Sequence, residues 1–335
     1  MNSLTVSDLH FTEGLSDSYK WELFPWMKEQ AEEHKVDAFY ILGDLFEKKD
    51  KHSSEIVNRL VNEIADLAAI LPVTILKGNH DYLKPDHPFL RFLNQLENVD
   101  FIQDPWERDN ELWLPHTRTP EHDWQDIDFN EYEYVFFHQS LIGSVTSNFY
   151  ELNHGISPRR FRNCPATRFY SGDIHVPQTI KIKGSPNGYT YIGTPYPVAF
   201  GDHYNGRGLI ITDEGHEEIN MSTIAKMAIK IKHPEEMRDY DLREGDQVKV
   251  EMTLNSSEIA DWPAYKKEIQ VLCRDHNISL KDLKVKIKTT MNRIEKAQGK
   301  TENTYKKEAP DVVLKRFAKL EKLDERVLKE GLELL

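Results

Sequence analysis

Five short stretches carry side chains that can hold cations: Asp8-Leu9-His10, Gly43-Asp44, Gly78-Asn79-His80-Asp81, His138-Gln139 and Gly172-Asp173-Ile174-His175. Carboxylates, imidazoles and one amide gathered at one place are the donor set that two adjacent divalent cations require. Such a pair can lower the pKa of a water and fix a phosphoryl oxygen for in-line attack. Alternate residues of an extended segment share a face, so Asp8 and His10 can aim an oxygen and a nitrogen at one point. Any one of these stretches is also an ordinary polar turn. Five of them, each behind an apolar run, point to a metal centre.

Those runs are the elements that must position the donors. Leu4–Val6, Val36–Leu42, Val73–Leu76, Tyr134–Phe137 and Arg168–Ser171 read as strands, each ending in one of the stretches. Between the first three lie two amphipathic helices. One spans Lys20–Lys35 with Trp21, Phe24, Met27 and Ala31 on a face, and the other carries Ile56, Leu60, Ile64 and Leu67. Strand and helix in alternation predict an α/β fold with the donors at the strands' C-terminal edge. Residues 86–130 are rich in acids and aromatics, including Trp106, Trp113 and Trp124, and follow no clear period; these rings are expected to pack rather than to stack on bases. Thr179–Lys183, Tyr189–Gly193 and Gly208–Thr212 read as a second, antiparallel-leaning sheet, and this first domain is expected to end near Ile224.

The last third changes character. Strands at Gln247–Leu254 and Asp282–Thr289 flank a helix at Pro263–His276, which predicts a small α+β domain over residues 225–291. Residues 292–309 read as a polar linker. Pro310-Asp311 starts a final helix, with Val313, Phe317, Leu320, Leu328, Leu332 and Leu335 at helical spacing. By pattern that tail packs on its own core or binds a partner's helix.

Composition removes several classes. A net charge of −13 argues against adsorption to nucleic acid by global charge and leaves only local basic patches, for which Arg159, Arg160 and Arg162 are candidates. Cys164 and Cys273 stand alone, without the spacing of a zinc ribbon or disulfide framework, and fit a reducing cytoplasm. No apolar run approaches the roughly 20 residues that span a bilayer. The first residues have neither a basic n-region nor an h-region, so a cytoplasmic protein without a membrane association is expected.

The five stretches, in this order, resemble the calcineurin-like metallophosphoesterase superfamily, whose motifs run Asp-x-His, Gly-Asp, Gly-Asn-His-Asp/Glu, His and Gly-His-x-His. The resemblance implies a two-sheet β-sandwich core flanked by helices. It also implies one cation on Asp8, His10, Asp44 and His175, and a second on Asp44, Asn79, His138 and Asp173, with Asp44 shared. His80 is then the catalytic group that stabilises the transition state or protonates the leaving oxygen, and Asp81 orients a histidine. Asp173 departs from the family's histidine. A carboxylate is harder than imidazole, so Mn2+ or Mg2+ is expected over Zn2+.

Within the superfamily the chain is most similar to the SbcD-type DNA-repair nucleases, including the recombination endonuclease subunit of T-even phages. Tyr191-Ile192-Gly193-Thr194-Pro195-Tyr196-Pro197 with Ala199–Asp202, His138-Gln139, and the small domain followed by a helical tail carry that narrower resemblance. It implies a Mn2+-dependent 3′→5′ exonuclease and single-strand endonuclease acting on DNA in repair and recombination, as a homodimer bound through the tail to an SbcC-like SMC/ABC ATPase. Glu47 stands where the family often has His or Asp near the substrate. Two other readings use the same residues: a small-molecule or cyclic-nucleotide phosphodiesterase, and a weakly catalytic scaffold that binds DNA ends.

Overall fold

Short β-branched and aromatic runs form the strands, and the segments with apolar residues three and four apart form the helices. The computed structural model describes residues 1–202 and 204–288. In chain order the main elements are β1 (Asn2–Val6), a 3-10 segment (Leu15–Glu22), α1 (Leu23–His34), β2 (Ala38–Ile41), α2 (Ser54–Ala68) and β3 (Val73–Leu76). A small hairpin, β4 (Tyr82–Lys84) and β5 (His87–Pro88), precedes β6 (Val99–Ile102), β7 (Trp106–Arg108) and β8 (Glu111–Leu114). A short α3 (Pro120–Asp123) leads to β9 (Tyr134–His138), β10 (Arg168–Gly172), β11 (Gln178–Ile182), β12 (Ser185–Tyr191), β13 (Arg207–Thr212) and β14 (Gly215–Asn220).

Two six-stranded sheets result, ordered β14-β13-β1-β2-β3-β6 and β11-β12-β10-β9-β8-β7. Period-2 alternation splits each strand's side chains between two layers. Tyr40, Leu42, Leu76 and Leu209 of the first sheet meet Trp113, Tyr134, Phe136 and Tyr170 of the second in the sandwich interior. The other face of the first sheet, with Leu4, Val6, Phe39, Ile41 and Ile75, packs against α1 and α2 through Phe24, Met27, Leu60 and Ile64. Ser53 caps α2 by accepting the Ile56 amide at 3.4 Å. The expected β-sandwich flanked by helices is therefore the fold.

Three details differ from the sequence reading. The second sheet is parallel through its centre, because β8, β9, β10 and β12 run the same way; only the outer β7 and β11 are antiparallel. Gly208–Thr212 lies in the other sheet, antiparallel to β1, since its apolar residues Leu209 and Ile211 fill the sandwich from that side. The first helix begins at Leu23 rather than Lys20, and the residues before it wind as the 3-10 segment.

Further on, β15 (Lys226–Ile231), β16 (Gln247–Asn255), α4 (Trp262–Asp275) and β17 (Ser279–Lys288) form a three-stranded parallel sheet with one helix. Ile229, Val248, Val250, Met252, Leu254, Ile269 and Cys273 give it an apolar core of its own. It is joined to the 3-10 segment by polar contacts. Lys226 Nζ donates to Asp17 Oδ1 at 2.8 Å, and Gln247 donates to the Ser16 carbonyl. The expected linker over 292–309 and helix over 310–335 lie outside the described residues. No helix among the described residues is long and apolar enough to cross a membrane.

Candidate metal centre

The C-terminal ends of β1, β2, β3, β9 and β10 bring all seven expected donors to one place. Parallel strands deliver their ends to one edge, and the turns after β1, β2 and β10 bend sharply there. Asp8, His10, Asp44 and Asp173 take left-handed backbone at φ of 56°, 46°, 56° and 84°. Non-glycine residues adopt that conformation at a cost of about 1 kcal/mol each, which is typical of a functional site held by its surroundings. Gly43 and Gly78 make the close approach possible. A Cβ on Gly43, at φ 88°, would stand 2.4 Å from His138 Nδ1, and one on Gly78 would be driven into the Asp44 carboxylate.

Two clusters share one carboxylate. His10 Nε2 lies 3.6 Å from Asp44 Oδ2, and His138 Nε2 lies 3.4 Å from the same oxygen. On the first side His175 Nε2 is 3.0 Å from His10 Nε2, and Asp8, His10 and His175 can bring donor atoms within 4.8 Å of one another. On the second side the Asn79 Oδ1 is 3.3 Å and the Asp173 Oδ1 3.9 Å from His138 Nε2. Backbone carbonyls fix the tautomers of two histidines. His138 Nδ1–H donates to Leu42 O at 2.6 Å and His80 Nδ1–H donates to Glu47 O at 2.6 Å, which makes Nε2 the ring atom that each can offer to the site.

The electrostatics call for positive charge. Burial pushes the Asp8 carboxyl up to about 6, with Asp44 adding to the rise. Burial opposes charge on His138 as well, but Asp44, Asp8 and Asp173 outweigh it and hold the imidazole protonated well above its usual range. Asp44 also resists burial and is held far below the usual carboxylate range by His138 and His10. Divalent cations would take the place of those protons. The buried Asp8 Oδ2 has no hydrogen-bond partner, an expensive state for a carboxylate unless a cation is its partner. Hard oxygens mixed with neutral imidazole nitrogens suit Mn2+ and related divalent ions.

The surrounding groups hold the donors in place. Asp81 does not orient a histidine, contrary to expectation. Its buried carboxylate accepts the amides of Asp44 at 2.9 Å, Leu45 at 3.1 Å and Gly78 at 2.7 Å, so it clamps the Asp44 turn to its own. A backbone turn that presents several amides outcompetes a single ring N–H as a partner for two carboxylate oxygens. Glu47 takes the place near a histidine instead: its Oε2 lies 3.1 Å from His10 Nδ1, and that contact brings the Glu47 carboxyl down to about 2. Its position, three residues after Asp44, was the available sequence signal.

Lys20 gave none. It is buried, its Nζ donates to the His10 carbonyl at 2.5 Å, and burial lowers its pKa to about 8. Ser140, two residues past His138, donates to Asp173 Oδ2. The Gly193–Pro197 stretch braces the first side: Tyr196 donates to the Leu9 carbonyl at 2.7 Å, Ser7 donates to the Gly193 carbonyl at 2.9 Å, and the Thr194 amide donates to His175 O at 3.1 Å. The donors open onto a cleft of about 500 Å³, lined also by Thr12, Asp17, Lys20, Val198 and Ala199.

Comparison with known proteins agrees in part with the sequence reading. The UDP-2,3-diacylglucosamine hydrolase of Shewanella pealeana is 38% identical over 85 residues, 25% of this chain and 34% of that protein. The enzyme of the same name from Coxiella burnetii is 33% identical over 84 residues, 24% of this chain and 33% of that one. The matched segment thus spans about a third of these curated relatives. A solved structure, the nuclease MPE of Pseudomonas putida, aligns with a TM-score of 0.29 and 14% identity, covering 65% of this chain and 87% of that one. A family model described as calcineurin-like phosphoesterase matches residues 1–177, a span that begins at β1 and closes just after His175. Every strand end that contributes a donor lies within it, and the chain belongs to the calcineurin-like phosphoesterase family.

Proposed function

We propose that this chain is a metal-dependent DNA nuclease, the nuclease subunit of an SbcCD-like repair and recombination complex. The observation that carries the hydrolytic part is Asp44, placed 3.6 and 3.4 Å from imidazoles on its two sides. The family uses two divalent metal ions. Asp8, His10, Asp44 and His175 would hold one, and Asp44, Asn79, His138 and Asp173 the other, with Mn2+ favoured by the carboxylate at 173. Bound there, the pair supplies charge that lowers the pKa of an attacking water and neutralises the phosphoryl oxygens. His80, fixed through Nδ1–H, would present Nε2 to the scissile phosphodiester, where the doubly protonated ring would stabilise the transition state or give its Nε2 proton to the leaving sugar oxygen. Lys20 and Glu47 keep His10 in place from its carbonyl and its ring.

The choice of DNA rests on the resemblance of the Tyr191–Asp202 stretch and of the small domain to SbcD-type nucleases. The same resemblance makes homodimerisation, residence in the cytoplasm, and binding of an SMC-like ATPase through residues 310–335 part of this proposal. A second reading, hydrolysis of a small nucleotide ester, is favoured by the local identity to UDP-2,3-diacylglucosamine hydrolases. The test is Mn2+-dependent degradation of a 3′-labelled duplex and a labelled single strand, with His80→Ala in parallel. Cleavage that needs Mn2+ and fails in the variant is expected. If neither strand is cut while UDP-2,3-diacylglucosamine is hydrolysed, the DNA assignment falls.

A further inference from the structure

Basic side chains collect on two segments that meet the Gly78–Tyr82 turn; of these, Lys48 and Lys51 line a hollow with Thr12, Glu13 and Asp17 beside the cleft. The segment after Glu47 reads Lys48-Lys49-Asp50-Lys51, and it starts at the carbonyl to which His80 is bonded at 2.6 Å. Lys48 and Lys51 are exposed and Lys49 is half-buried. The segment after β8 approaches the same Gly78–Tyr82 turn. There His116 Nδ1 is 2.8 Å from the Tyr82 hydroxyl, and its ring centre is 6.2 Å from that of His138. Arg118, two residues on, lies with Cζ 5.7 Å from the Tyr82 ring and donates to the Leu83 carbonyl at 3.1 Å. Lys77 Nζ is 5.1 Å from the same ring.

None of Lys48, Lys49, Lys51, Lys77 and Arg118 has a carboxylate oxygen within 4.0 Å among the described residues. Several other cations of the core are spent. Arg108 pairs with Glu111 at 3.1 Å, Arg168 with Glu133 at 2.8 Å, and Lys226 with Asp17 at 2.8 Å. Arg160, a candidate from the sequence, puts its guanidinium on the carbonyls of Trp124, Gln125 and Ile127, so it braces the fold. A chain of net charge −13 repels a polyanion at long range, so a strand can settle only where local positive charge is free to meet it.

We infer that Lys48, Lys49 and Lys51 on one segment and Arg118 on the other form a phosphate track, seating the phosphates that flank the scissile one on a nucleic-acid strand. One segment is tied to the Gly78–Tyr82 turn by His80 and the other by Tyr82, so the cations flank the catalytic turn, an arrangement suited to several phosphates in a row. Arg118 offers a planar fork to one phosphate, and the lysines act as point charges along the backbone. The inference rests on the phosphodiesterase reading of the adjacent centre and adds where its substrate lies.

The test is equilibrium binding of a fluorescein-labelled oligothymidylate over a range of salt in the His80→Ala background, which prevents cleavage. Adding Lys49→Ala and Arg118→Ala should reduce the slope of log affinity against log salt by about 1.4, since each lost single-strand contact accounts for about 0.7. Arg159→Ala with Arg162→Ala should leave it unchanged. With His80 intact, the Lys49→Ala/Arg118→Ala protein should hydrolyse bis(p-nitrophenyl) phosphate at the parent rate. A parent that binds the strand with a steep slope that the Lys49 and Arg118 changes do not alter overturns the track and leaves the nuclease reading standing. A parent that does not bind the strand overturns both. Loss of small-ester turnover in the double variant also overturns the track, because the two residues would then be part of the metal centre's own structure.

Discussion

His138 and His10 stand 3.4 and 3.6 Å from the same Asp44 oxygen, yet the protein secures them by different means. His138 is wholly buried at the end of β9. Its Nδ1–H is spent on a backbone carbonyl, and glycines at 43 and 78 let neighbouring turns close over it. His10 is held by side chains: Glu47, 47% exposed, faces its ring, and Lys20 holds its carbonyl. The first kind of support is steric and tolerates no added atom. The second is electrostatic and degrades by degrees. Asp173, on the His138 side, is fixed by Ser140 through its side chain and by the Asp8 carboxylate through its amide.

Substitutions on the two sides should therefore differ in size. Gly43→Ala puts a methyl group 2.4 Å from His138 Nδ1 on left-handed backbone. It should destabilise the fold by about 3 kcal/mol and reduce phosphodiester turnover at least ~100-fold, checked by urea unfolding and by hydrolysis of bis(p-nitrophenyl) phosphate. Asp81→Asn removes a charged acceptor from three amides that tie two turns together, and should cost about 2 kcal/mol in the same unfolding experiment. If it costs nothing, those turns are held by the glycine packing alone.

Changes to single polar supports should have smaller effects, confined to metal binding. Glu47→Gln should weaken the cation on the His10 side about 10-fold by calorimetry, with the His138 side unaffected. An equal loss on both sides would erase the distinction drawn between them. Ser140→Ala frees one oxygen of Asp173 and should lower affinity on the His138 side by a few-fold at most, without a change in unfolding midpoint beyond about 1 kcal/mol.

Much of this centre was legible in the sequence, and the reason is geometric. Donor residues behind five apolar runs pointed to one strand-end cluster, and the resemblance of their order, Asp8, His10, Asp44, Asn79, His138, Asp173, His175, to the family's motifs implied how they group. The strand Val73–Leu76 was found with its bounds because its apolar run ends abruptly at Lys77. What escaped was set by tertiary contact. Asp81 shares its motif with His80 but turns to backbone amides, which no spacing rule encodes. Lys20 lies in the 3-10 segment before the first helix, and only the fold brings its ammonium to the His10 carbonyl. The strand at Gly208–Thr212 follows the second sheet in sequence, but its apolar face fits the edge beside β1.

In the proposed centre Asp44 would be shared by two cations. The most direct measurement is electron paramagnetic resonance of the Mn2+-loaded protein, with manganese counted per chain. Two ions per chain with a spin-coupled spectrum, lost in Asp44→Asn while single-ion binding remains, is the predicted result. One ion per chain, or two with no coupling, would contradict it.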